Sequence, residues 1–217
     1  MGAELASGTR GNTDAEPHND STCVDALWLA TLHRIFARAA HEVKGALNGV
    51  SVNLEVVRSR AEKPDAPASA VRQYAASASG QLEGVIDMSE ALLALGRPVR
   101  EPVEIALMVR RFGALLGPAA KADSRLLEID DSLEVVGLTP ANGSVVRLSI
   151  GATLLAAIEA SAHVRCTATR AEASSTLRIE SGDSALLTAD DVIVNIAAAA
   201  GIKMQAEPSA ISISFPR

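Results

Sequence analysis

Apolar or small residues recur at Leu32, Phe36, Ala39, Val43, Ala46, Val50, Leu54 and Val57. Steps of four and three put all of them on one stripe, which predicts a single long helix over residues 27–60. Asp20, Ser21 and Thr22 stand where an N-cap is needed. Pro64 and Pro67 stop the helix, because proline has no N–H to donate and its ring collides with the preceding turn. A second periodic stretch places Val71, Ala75, Ala78, Leu82, Val85, Ser89 and Leu92 on one face and ends at Gly96-Arg97-Pro98. Two long helices joined by a short proline-containing turn predict an antiparallel hairpin. Such a hairpin cannot cover its own stripe on both sides, so two copies are expected to pair into a four-helix bundle, a homodimer.

Beyond Pro98 the period changes. Helices are predicted over 105–122 (bent or tightened at Gly117-Pro118), 145–160 and 190–200. Short strands are predicted over 126–129, 133–136, 164–169, 176–180, 202–206 and 211–215, with Asp130-Asp131-Ser132 as a polar turn between the first two. Helices interleaved with a mostly antiparallel sheet indicate an α+β fold: a helical hairpin followed by an α/β sandwich. The expected division is a disordered leader over 1–21, the hairpin over 22–97 and the sandwich over 98–217.

Composition narrows the function classes. Aromatics make up only 2% of the chain, so the core must be built from Ala, Leu, Val and Ile. A net charge of -6 argues against nucleic acid or an anionic membrane as partner. No uninterrupted apolar run approaches the length of a membrane span and no secretory signal pattern is seen, so a cytoplasmic location is expected. Cys23 and Cys166 have no metal-ligand spacing and read as two free thiols. Gly11, Gly45 and Gly49 make no phosphate loop, since none follows a predicted strand.

Candidate chemistry concentrates in the first helix. His41 lies between Ala39 and Val43 in number and so points away from the apolar stripe, toward water. Lys44, Gly45 and Asn48 follow at three, four and seven residues and share its face, and Glu42 is its neighbour in the chain. His41-Glu42-Val43-Lys44-Gly45-Ala46-Leu47-Asn48 resembles the phosphoacceptor box of bacterial sensor histidine kinases. In layout the hairpin resembles their dimerisation and histidine-phosphotransfer domain, and 103–216 their ATP-binding domain; only the His41 box is motif-specific.

The resemblance implies two Asn residues on the 145–160 helix to hold magnesium and phosphate, but Ala152 and Ala156 stand at the equivalent positions. Alanine offers neither an oxygen ligand nor a hydrogen bond. An Asp-x-Gly-x-Gly adenine box is replaced by Glu180-Ser181-Gly182-Asp183-Ser184, and about seven residues remain for the nucleotide lid. These departures imply a degenerate ATP-binding domain. An intact acceptor box on such a scaffold is similar to the dimeric histidine phosphotransferases of bacterial phosphorelays.

The resemblance then implies transfer of a phosphoryl group between His41 and receiver-domain aspartates of response regulators, without ATP. No cofactor of its own is expected, magnesium being supplied by the receiver. Glu42 would hold the distal ring nitrogen, Lys44 would offset phosphoryl charge, and Gly45 would leave room for the partner. Asn48 would donate a hydrogen bond at the rim. Gly45 cannot orient a water, so little phosphatase activity is expected, and Ala46, in place of the box's proline, implies a straighter helix after the site. The alternatives are a non-catalytic scaffold that binds response regulators, and an active kinase with an unconventional nucleotide site. His33 is expected to face solvent, His163 to be structural and His18 to belong to the leader, while Trp28 and Phe36 are expected to be core or dimer contacts.

Overall fold

The computed structural model describes residues 18–63 and 67–217. Two helices, α1 (His18–Ala61) and α2 (Ala68–Gly96), form the antiparallel hairpin. Five strands build one sheet in the order β2-β4-β5-β7-β6: β2 (Leu126–Ile129), β4 (His163–Arg170), β5 (Ser174–Ser181), β6 (Lys203–Glu207) and β7 (Ala210–Pro216), with the four-residue β2 at its edge. Only β2 runs parallel to its neighbour, β4; the other pairings are antiparallel. Helices α3 (Ile105–Ala122), α4 (Gly143–Ala160) and α5 (Asp191–Ala199) complete the sandwich. A two-stranded ribbon, β1 (Val103–Glu104) with β3 (Leu138–Thr139), closes one end.

Alternation along the strands decides which face of the sheet is covered. Val164, Cys166 and Ala168 of β4, Leu177 and Ile179 of β5, and Ile211, Ile213 and Phe215 of β7 are buried. Between them, Arg165 pairs with Asp130, and Arg178 with Glu180 and Glu207, on the opposite, open face. The fold is therefore α+β, as expected, with its helices on one side of the sheet.

Helix α4 lies at the centre. It is long and apolar enough to cross a membrane by composition, yet 72% of it is buried inside the fold. A helix apolar on all sides is a core helix when its neighbours cover it. Asn142 caps its start by accepting from the N–H groups of Ser144 and Val145, and Glu101 accepts from the N–H of Gly143.

Two expectations are corrected. Residues 131–135 form a 3-10 helix rather than a strand. Asp130 accepts from the Ser132 N–H and caps that turn, and Leu133 then points into the core instead of pairing across a sheet. Helix α1 begins at His18, earlier than the leader was expected to end; the rest of the leader lies outside the described residues. Helix α3 spans the expected 105–122, with Pro118 inside it.

Candidate functional site

The face that α1 buries changes along its length. Val24, Trp28, Thr31, Ile35 and Ala39 are buried, at steps of four, three, four and four. This stripe packs on α3 and α4 as well as on α2, so the hairpin and the sandwich share one continuous hydrophobic core. Trp28 meets Phe112 of α3 edge to face at 6.1 Å. A side chain at Gly151 of α4 would collide with Phe112 at 2.7 Å and approach Trp28 at 3.3 Å, so glycine is what lets the three helices close. Beyond Ala39 the burial becomes partial, because α1 there has only α2 beside it: Val43, Ala46, Val50, Asn53 and Val57 are half-buried. Asn53 donates to Ser77 and Gln81 across the hairpin at 3.2 and 3.1 Å, and Arg60 stacks over Tyr74.

His41 sits just past the point where α1 leaves the sandwich, and it is exposed. Lys44, Gly45 and Asn48 are exposed beside it, on the same face of α1. Glu42 is half-buried, about a quarter turn round the helix. Among the described residues no hydrogen bond or ion pair joins Glu42 to the imidazole, so contact between them requires a side-chain rotation. His33 is exposed, as expected. Phe36 and Leu54, assigned to the packed stripe, are 47% and 54% exposed, whereas Trp28 is in the core. Cys23 and Cys166 are both free.

Sequence reading missed the two arginines that precede the histidine. Arg38, one turn before His41, pairs with Glu159 at 3.1 Å and with Asp123 at 3.7 Å. Arg34 pairs with the same Glu159. The carboxylates stand at the C-terminal ends of α3 and α4, so the sandwich is clasped to α1 immediately beside the candidate site. An Arg at i−3 and i−7 from the histidine was the available signal. Both guanidiniums are engaged by the sandwich, which leaves Lys44 as the cation on the exposed face of the box.

The positions expected to have lost nucleotide ligands are half-buried and border a groove. Ala152 and Ala156 line a 380 Å³ groove whose other wall is Leu27, Thr31 and Arg34 of α1. Gly182 is a contact residue: a side chain there would come within 2.3 Å of His163 Nδ1. Asp183 accepts from the hydroxyls of Ser161 and Ser181 and from the N–H of Ala162, bonds that hold its carboxyl well below the usual range and join the ends of β4 and β5. His163 lies 3.1 Å from Glu128 across the β2–β4 pair, which fits the structural role expected of it. Among the described residues no cluster of His, Cys, Asp and Glu could hold a metal ion.

No protein family model matches the chain, and no curated protein does. Among solved structures, the chain is similar to the Acinetobacter baumannii histidine kinase AdeS at 13% identity and a TM-score of 0.42, over 81% of this chain and 97% of that one. It is also similar to histidine kinase ThkA, solved in complex with the response regulator protein TrrA, at 11% identity and a TM-score of 0.43, over 94% of this chain and 68% of that one.

Proposed function

We propose that this protein is a histidine phosphotransferase, passing a phosphoryl group between His41 and receiver-domain aspartates of response regulators without ATP of its own. The observation that carries the reading is the exposed imidazole of the acceptor box, held on a helix whose opposite side is packed. In the transfer, the unprotonated ring nitrogen attacks phosphorus and the aspartyl carboxylate leaves with the electrons of the broken P–O bond. The ring becomes an N-phosphoryl imidazolium, whose remaining N–H can donate to Glu42 after a rotation of that side chain. Lys44 offsets the added charge, Gly45 leaves room for the receiver, and Asn48 can donate at the rim. Magnesium held by the receiver would neutralise the transferring oxygens. Ala152 and Ala156 bring no oxygen or amide to the groove between α4 and α1, which supports transfer without nucleotide.

The active unit in this reading is a homodimer. Leu29, Phe36, Leu47 and Leu54 are exposed on α1 at steps of seven, eleven and seven, all close to whole turns. Leu82, Ile86 and Leu93 repeat this on α2, at steps of four and seven. A second copy brings the same two stripes, and a two-fold axis between them closes a four-helix bundle.

Incubation with a phosphorylated receiver tests the proposal. The expected result is an acid-labile, base-stable label on this chain, absent from His41→Ala. Receiver binding with no transfer would instead favour the scaffold, and a magnesium–ATP complex binding at micromolar affinity by calorimetry would favour a kinase.

A further inference from the structure

A second candidate site lies at the junction of hairpin and sandwich, where a cavity of 740 Å³ opens between the end of α2, the linker after it and the start of α3. Its volume falls within the range of small-molecule pockets, roughly 300–1,000 Å³. The lining is of two kinds. Leu95, Val99, Leu107 and Leu138 give aliphatic walls, and no aromatic ring takes part. Four arginines, Arg97, Arg100, Arg111 and Arg147, also line it, with one acidic residue, Glu104.

Those cations are undercompensated. Among the described residues none of the four has a carboxylate within ion-pair distance, in a chain whose net charge is -6. Arg147 is only 6% exposed. Its Nη1 donates to the carbonyls of Leu95 and Arg97, at 2.9 Å each, and its guanidinium lies 4.3 Å from the Trp28 ring centroid. Its Nε is buried with no partner among the described residues. Burial disfavours its charge, and the field of Asp25 offsets this only in part. With three further arginines on the cavity wall and Glu104 as the one acidic residue lining it, an anion bound there would offset charge that the protein leaves unpaired.

We propose that this cavity binds an aliphatic anion, with a carboxylate or phosphate head among the arginines and a saturated chain against Leu95, Val99, Leu107 and Leu138. The absence of an aromatic platform among the lining residues separates this from a nucleotide site, where a base would stack. The site is remote in sequence from His41, and the proposal stands independently of phosphotransfer.

Calorimetric titration of the full chain with decanoate, decyl phosphate, decanol and propionate tests it. Saturable one-to-one binding of decanoate or decyl phosphate is expected, the tighter of the two identifying the head group, while decanol and propionate bind much more weakly. Arg100→Ala and Arg111→Ala should each weaken the anion by about tenfold, the loss of one charge-assisted hydrogen bond, and Arg111→Lys should recover part of the loss. His41→Ala should bind as the parent does, and circular dichroism establishes that each variant is folded. Absence of saturable anion binding would overturn the proposal, as would decanol binding as tightly as decanoate with no effect of the arginine variants.

Discussion

Burial separates the two thiols in their chemistry. Cys166 points into the core from β4, and desolvation pushes its pKa up to about 12, so it holds no thiolate to react at neutral pH. Cys23 is exposed on α1. Titration with an aromatic disulfide should give one fast thiol per native chain and a second only after denaturation. Asp130 is a second case of local control. The Ser132 N–H and then the Arg165 guanidinium hold its carboxyl at about 2, below its ordinary 3.8. A depressed carboxylate pKa contributes stability that is present above the unfolded value and lost as pH falls through the folded one. Its contribution should therefore disappear between about pH 4 and pH 2, and Arg165→Met should move acid unfolding upward in pH, as followed by circular dichroism.

At the scale of elements, what matters is how α1 is held on α4. Gly151 leaves room for the Phe112 and Trp28 rings, and Gly151→Val forces a branched side chain into both. Overpacking of this kind costs about 1–3 kcal/mol, which chemical denaturation should show as a lower midpoint. The clasp of Arg34 and Arg38 on Glu159 is a weaker hold. Its groups are partly solvated, so Glu159→Gln should cost about 1 kcal/mol or less. It should still hasten amide exchange in the first half of α1, relative to α2. A wild-type exchange pattern in that variant would mean that packing alone holds the helix.

Over the whole molecule, the exposed apolar stripes of the hairpin are where the proposed dimer would close. Leu54→Glu combined with Leu82→Glu places charge at the proposed two-fold seam, away from the shared core, and sedimentation equilibrium should change from dimer to monomer. Retention of a folded dimer would place the interface elsewhere. The hairpin was legible in the sequence because its two prolines and its three-four spacing are local signals. The 3-10 turn after Asp130 was not, since Leu133-Glu134-Val135-Val136 satisfies a strand pattern equally well and only Leu133's place in the core decides against it.

For the candidate site, spacing alone put His41, Lys44, Gly45 and Asn48 on one face of a helix, because a helix fixes the angle between residues whatever surrounds it. Composition likewise determined that a core with few aromatics would be made by closely packed aliphatic helices. Tertiary structure decided which of two overlapping stripes on α1 is buried, since Val24 to Ile35 is covered by α3 and α4, distant in the chain, as well as by α2. It also brought Glu159 to Arg38 and four arginines to one cavity. Pairings of that kind depend on where remote segments meet, and no periodicity within a single helix encodes the position of its neighbour.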